Sequence, residues 1–275
     1  MFRLKRSSLN TPLVSVITVC LNSDRTIRRT IESVLSQSYK NIEYIIIDGC
    51  SEDNTLNIVK EFKTAINHFV REKDKGISDA FSKGIRLAKG EFIQLLNADD
   101  YLPTDKIEKS VELLVAHPDH SYCFGDIVLI DDHQNPTFRI EGDPQYHRMI
   151  RFFMPRINHP TVLARKSAYE KYGLFDTQWK NAMDYDWLLR LHINFEKGIY
   201  SHNIVAYMQE GGQSGRNWIK TQIDELHVSM HNGLNPLVAY TIFYMRFLRT
   251  FIRIQVEYVF PRQWLMPFRP GKKLL

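Results

Sequence analysis

The sequence predicts an α/β fold in which a mostly parallel sheet is covered by flanking helices. Apolar, β-branched runs alternate with helical spacings four times in about 117 residues, the pattern of strands joined by crossover helices. Each run reads as a buried strand, and each ends in polar residues, at the position where such sheets bind ligands.

Leu13 to Val19 is the first strand, and Arg25 to Ser36 follows with apolar residues at 27, 31, 34 and 35, a helical spacing. Asn41 to Ile47 is the second strand, and Asp53 caps a helix running to about Phe62. Asn67 to Val70 is strand-like, Ser78 to Ala88 helical and Glu91 to Leu96 a further buried strand, after which Pro103 and Asp105 open a helix to about His117. From Ser121 to Ile140 the pattern changes to short β-like runs, with turns at Gly125-Asp126 and Gln134-Asn135-Pro136. The segment 143–160 is irregular, aromatic and basic, as a lid or substrate platform is. Lys166 to Tyr172 and Asp184 to Ile193 read as helices, Gly198 to Met208 as a strand and Trp218 to His231 as a helix. Between the last two, Gly211-Gly212-Gln213-Ser214-Gly215 must bend tightly or approach a ligand closely.

At 275 residues, with 44% hydrophobic and 24% charged, the chain is of ordinary globular composition, which excludes wholesale disorder, collagen and coiled coil. Its net charge of +5 is concentrated at one end: residues 246–275 hold seven basic side chains against Glu257, which leaves the first 245 residues at −1. The body therefore has no basic excess to extend a nucleic-acid surface. The three cysteines, Cys20, Cys50 and Cys123, lie in no metal-binding spacing, and an odd number suits a reducing compartment, the cytosol. No secretory signal and no stretch of roughly 18 apolar residues is present.

The chemistry gathers at the strand ends. Asp99 and Asp100 follow an apolar strand with no intervening turn, so burial makes these adjacent charges costly and a hard cation such as Mg²⁺ or Mn²⁺ would relieve them; the alternative is a pair of acids leading into the helix at Pro103. Asp48 ends the second strand, placed to accept hydrogen bonds from a base or ribose, or else to close an Asx-turn. Asp74-Lys-Gly-Ile-Ser-Asp-Ala-Phe-Ser-Lys-Gly84 is a charged loop with a glycine hinge entering a helix whose first turn carries Asp79. The first turn has no glycine and the chain has no Gly-Lys-Ser/Thr phosphate loop, so a nucleotide is held in another way than in the dehydrogenases and phosphate-loop proteins.

Taken in order, Thr18 to Asn22, Asp48-Gly-Cys-Ser-Glu-Asp-Asn-Thr55, Asp74 to Gly84, Gly90-Glu91 and Asn97-Ala-Asp-Asp100 resemble the family 2 glycosyltransferases of GT-A fold. Gly173-Leu-Phe-Asp176 and Asp184-Tyr-Asp-Trp-Leu-Leu-Arg190 extend the likeness to about residue 215. The resemblance implies an inverting, metal-dependent enzyme that moves a sugar from a nucleotide diphosphate sugar, a UDP-sugar above all, to an acceptor hydroxyl in surface polysaccharide or glycolipid synthesis. It implies that residues 1–215 form the catalytic domain, with a nucleotide-sugar half at 1–120 and an acceptor half at 121–215, and that 216–275 add C-terminal amphipathic basic helices. By the same likeness Thr18, Asn22, Asp48, Asp79, Lys83, Asn97 and Asp99 bind the donor, and Asp99 and Asp100 serve ribose and metal in a segment where Asn97 replaces the first acid of the family's Asp-x-Asp motif.

Displacing a nucleotide diphosphate from an anomeric carbon requires stabilised charge on the departing phosphates and a base for the attacking hydroxyl. Asp184, beside Met183, Trp187 and Leu188, is the candidate base, or simply an N-cap; Met183 stands where the family usually has Glu. Asp186 is the second candidate, two residues on and facing another side of the helix. His159 is read as touching acceptor or phosphate, or as a structural histidine, and Gln213 as part of a loop closing over the diphosphate, or of an ordinary turn.

In the tail, Arg246, Arg249 and Arg253 recur at helical spacing among aromatic and aliphatic residues. Such a helix suits a membrane surface, reached through residues 235–275, which would place the protein at the inner face of the cytoplasmic membrane with a saccharide or lipid-linked saccharide as acceptor. The other reading packs the helix on the domain or on a second copy in a homodimer. A nucleotidyltransferase and a non-catalytic, membrane-docking nucleotide-binding protein are the competing functional classes.

Overall fold

The computed structural model describes residues 11–210, 217–259 and 272–274. In the first half β1 (Val14–Cys20), β2 (Ile42–Asp48), β3 (His68–Arg71) and β4 (Phe92–Asn97) run parallel in the order β3-β2-β1-β4, linked by α1 (Ile27–Leu35), α2 (Thr55–Glu61) and α3 (Ile77–Leu87), with α4 (Lys106–Ala116) after them. In the second half β5 (Tyr122–Ile130), β6 (Pro136–Ile140) and β7 (Leu163–Arg165) precede α5 (Lys166–Tyr172), α6 (Met183–Ile193) and β8 (Gly198–Gln209), and α7 (Trp218–His231) and α8 (Pro236–Val259) follow. The short β7 pairs antiparallel with both β4 and β5 and joins the halves into one sheet. Parallel pairing thus governs the first half, while β5 is antiparallel to β6 and β7 and parallel to β8.

The expectation of C-terminal helices through residue 275 is corrected at the end of the chain. Lys272–Leu274 form β9, an edge strand antiparallel to β6, and the Lys273 ammonium lies 2.5 Å from Glu141.

Alternating side chains of the central strands feed two cores. Ile17, Val19, Ile45, Ile47 and Leu95 pack with Phe81, Ile85, Tyr185 and Trp187 on one face. Val14, Val16, Tyr44, Ile46 and Leu96 pack with Ile27, Ile31, Val59 and Leu114 on the other. In α1 the buried residues Ile27, Thr30, Ile31 and Val34 recur every three to four positions, and each large apolar side chain so buried contributes about 1.5–3 kcal/mol. Gly84 lets α3 lie directly on β1, since a Cβ there would collide with the Ile17 side chain.

One charged side chain enters this core. Lys106, 1% exposed, donates from Nζ to Gln94 Oε1, and burial pushes its ammonium down from 10.5 to about 7. Between those values the unfolded chain holds a proton that the folded chain does not, so folding gains stability as the pH rises through that window. Urea unfolding at pH 7 and pH 9 will show a larger gain for the wild-type chain than for Lys106→Met; equal gains would mean that the lysine is solvated.

Candidate active site

The loops beyond the carboxyl ends of β1, β2 and β3 are tied to one another. Asn22, in the left-handed region at φ 51°, donates from its backbone N–H to Ser51 Oγ at 2.9 Å and accepts from the Glu52 N–H on Oδ1 at 2.9 Å. Asp48 is buried, accepts from Ser51 Oγ at 2.5 Å and stands 3.3 Å from Arg71 Nε. It therefore closes the turn and holds the loop, with its oxygens engaged. Asp74 covers Gly49 so closely that a Cβ there would lie 2.6 Å from its Oδ2. Thr18 shares the sheet face of Val16 and Cys20, is fully buried, and its Oγ1 lies 3.1 Å from the Tyr44 hydroxyl, so its side chain is engaged in the core.

At the start of α3, Asp79 accepts from the Lys75 N–H at 3.1 Å, and Lys83 lies 3.4 Å from Asp79 and 3.0 Å from Glu72. Burial acts to raise the Asp79 carboxyl, but the Lys75 N–H and the Lys83 ammonium outweigh it and hold the group below the usual carboxylate range. The pair presents a fixed charge arrangement at the rim of the cleft.

The acid turn after β4 is held from behind by α1. Thr30 Oγ1 donates to the Ala98 carbonyl at 2.9 Å and the Asp100 carbonyl at 2.7 Å, and Arg29 Nη2 donates to the Asp99 carbonyl at 3.0 Å. Asn97 Nδ2 donates to Asp100 Oδ2 at 3.0 Å, while Asn97 Oδ1 is buried without a partner. Burial raises both carboxyls; Asp99 pushes Asp100 further up, against the opposing pull of Asn97 and Arg29. Two crowded carboxylates and an orphaned amide oxygen suit a hard divalent cation, whose remaining ligands would come from phosphate oxygens. Among the described residues no three His, Cys, Asp or Glu side chains converge, so the protein alone supplies only a partial ligand set.

Across the cleft, Asp184 occupies the first turn of α6 and lines a cavity with His159, Leu95, Tyr169, Phe175 and Trp187. His159 Nε2 is buried without a hydrogen-bond partner; burial lowers the imidazole from its ordinary value against the attraction of Asp184, which keeps the ring neutral at pH 7. Ser78 Oγ reaches Met183 Sδ at 3.3 Å and the Trp179 carbonyl at 3.5 Å, so the start of α3 touches the start of α6. Asp186 is buried, with Arg190 Nε at 3.0 Å and Asn232 Nδ2 at 3.2 Å on its oxygens, on the side of α6 away from Asp184. Gln213 lies outside the described residues.

Sequence reasoning gave no role to Arg29, Arg71, Asp74 and Glu225. Asp74 heads the Asp74–Gly84 motif, but Arg29 from α1, Arg71 from the end of β3 and Glu225 from α7 have no local motif to mark them.

The model of the family "Glycosyl transferase family 2" matches residues 15–173. A PGL/p-HBAD biosynthesis glycosyltransferase of Mycobacterium bovis is 25% identical over 83% of this chain and 89% of its own length. An Escherichia coli protein, the UDP-Glc:alpha-D-GlcNAc-diphosphoundecaprenol beta-1,3-glucosyltransferase WfaP, is 39% identical over 37% of this chain and 41% of its own length. Among solved structures, S. aureus TarS in complex with UDP-GlcNAc has a TM-score of 0.63 at 18% identity, over 84% of this chain and 70% of that one. That likeness bears out the α/β, GT-A expectation for the fold.

Asp100 titrates above its unfolded value of 3.8, so its ionisation opposes folding increasingly as the pH rises above that value. Asp100→Asn keeps the acceptor oxygen and removes the charge. Thermal unfolding at pH 7 without added metal will rise by roughly 2–4 °C in the variant, and the gap will narrow towards pH 4. A lower midpoint at pH 7 would mean that the charge is already compensated.

Proposed function

The chain belongs to glycosyl transferase family 2, and from that premise we propose that it is an inverting enzyme that moves a sugar from a UDP-sugar to a hydroxyl of a lipid-linked saccharide. Membership in the family sets aside the nucleotidyltransferase and non-catalytic readings. The observation that carries the proposal is one carboxylate, Asp184, standing at the head of α6 beside a neutral, buried His159, while the Asp99-Asp100 turn ends the strand whose Leu95 lines the same cavity. A single base on one side and a charge-stabilising turn on the other suit direct displacement at the anomeric carbon.

In this reading the loops carrying Asn22, Asp48, Asp79, Lys83 and Asn97 hold the nucleotide, with Asp48 fixing its loop through Ser51 and Arg71. A Mn²⁺ or Mg²⁺ ion held by Asp99 and Asp100 would supply charge stabilisation for the diphosphate. Asp184 accepts the proton of the acceptor hydroxyl as that oxygen attacks, and the apolar walls of Leu95, Phe175 and Trp187 keep water from competing. His159, unpaired at Nε2, orients the acceptor by hydrogen bonding. The E. coli relative's name supports a UDP-sugar donor and a diphosphate-linked lipid acceptor.

A lipid-linked acceptor also gives α8 a role. Its outward face carries Leu237, Tyr244, Met245, Leu248, Phe251 and Ile252, exposed by 47–79%, with Arg249 exposed beside them. In this reading the face lies on a membrane surface, with arginine at the anionic headgroups of the inner leaflet; among the described residues no helix is long and apolar enough to cross a membrane.

Asp184→Asn will lower transfer by about 10²–10⁴-fold while UDP binding, measured by calorimetry with Mn²⁺, stays within about threefold; near-normal turnover would remove Asp184 as the base. The double variant Leu248→Glu, Phe251→Glu will lose co-sedimentation with vesicles rich in phosphatidylglycerol and keep UDP binding. Unchanged sedimentation would remove α8 from the membrane.

A further inference from the structure

Resting on the assignment of Asp184 as base, we propose that Glu225 of α7 and Arg246 of α8 are positioning residues for it, so that the helix proposed to lie on the membrane also sets the charge around the base.

Glu225 is 6% exposed and follows Asp224, whose Oδ2 accepts from the Asn181 N–H at 3.0 Å and Asn181 Nδ2 at 2.9 Å, so α7 packs Glu225 at the head of α6, where its charge and that of Asp184 repel. Burying one acid beside another needs a cation nearby. That cation comes from α8: Arg246 Nη1 lies 2.5 Å from Glu225 Oε2, on the face of α8 opposite its apolar surface. The guanidinium also lies over the Phe153 ring, 4.4 Å from its centroid. One ion pair thereby ties α7 and α8 to each other and to Phe153. The seat of α8 is fixed independently by Gln222 Nε2 donating to Thr250 Oγ1 at 3.0 Å and by Trp218 packing on Phe247, with ring centroids 5.3 Å apart.

The groups facing Asp184 from the elements packed on it are His159, from the turn of residues 159–161, and Glu225 from α7. Tyr185, with its hydroxyl buried and unpartnered, senses both Glu225 and Arg246. Asp224 of α7 also stands at the head of α6, its Oδ2 held by Asn181, so with His159 neutral the Glu225–Arg246 pair is the buried ion pair whose disruption changes the charge beside the base. Where the pair is intact its net charge is zero; removing either member leaves a full charge of known sign.

The test is a ¹³C-carboxyl NMR titration of the full chain, with the Asp184 resonance identified by its loss in Asp184→Asn. Glu225→Gln leaves the Arg246 charge uncompensated, and the Asp184 midpoint will fall by about half a pH unit or more. Arg246→Met will move it the other way, and the double variant will return it towards wild type. Glu225→Gln is close to isosteric, so it decides the matter even where Arg246→Met fails to fold. An Asp184 midpoint unmoved in Glu225→Gln overturns the proposal and leaves the pair as a clamp between helices. The acidic limb of kcat for UDP-Glc hydrolysis will follow the midpoint while KM stays within about twofold. A midpoint that moves without that limb keeps the coupling and overturns Asp184 as the base.

Discussion

Asp99 and Asp100 stand in the tight turn that closes directly after β4, where the Asp100 N–H donates to the Asn97 carbonyl; that turn carries Asp100 out of water, and the surrounding structure is organised by what the burial costs. A lone buried carboxylate is expensive, and a pair is more so. The chain answers from three directions: Asn97 donates to Asp100, Arg29 lies near both acids, and Thr30 holds the backbone carbonyls of the turn. Arg29 is itself seated over the Tyr101 ring, which stacks on Tyr207 of β8 with centroids 4.4 Å apart. The second half of the sheet thus buttresses a turn that belongs to the first. None of these partners neutralises the pair, and that residual repulsion makes the turn receptive to a dication.

Asp184, the proposed base, reaches this turn through a different device. α6 comes late in the chain, yet its head is brought to the early strands by β7, which pairs with β4, and by Ser78, which touches Met183. A buried aromatic group fixes the rotation of α6: Trp187 stacks on Tyr169 at 4.2 Å and meets Phe175 edge-on. With Trp187 turned inward, Asp184 falls one turn earlier on the same face, and Asp186 is forced to the side where Arg190 and Asn232 wait.

This geometry explains what the sequence could and could not reveal. Buried parallel strands need unbroken apolar runs, so β1, β2 and β4 were legible to within a residue or two, and their polar ends marked the donor side. Which side chains of those motifs face a ligand depends on strand parity and on loop closure. Thr18 shares its parity with Val16 and is buried, and Asp48 turns back on Ser51. The second half was harder because its strands pair over long separations with mixed direction, as where β9 meets β6. Glu225 was invisible for the same reason: its significance lies in facing Asp184, some forty residues away in the chain, and a buried glutamate on an amphipathic helix has no signature of its own.

α8 shows how one helix can satisfy two solvents. Its packed face carries Ala239, Arg246 and Thr250, and its outer face carries Leu248, Phe251 and Ile252. A helix in water would reverse this, with arginine outside and leucine within. On the inner side Glu225 and Phe153 receive the guanidinium; on the outer side the exposed apolar stripe is the face proposed to lie on a membrane. Arg246 therefore differs in kind from Arg249, which is exposed. The same arginine spacing that reads as one basic stripe divides into a charge paired inward with Glu225 and a charge that faces outward, while Lys273 pairs with Glu141 at the sheet edge.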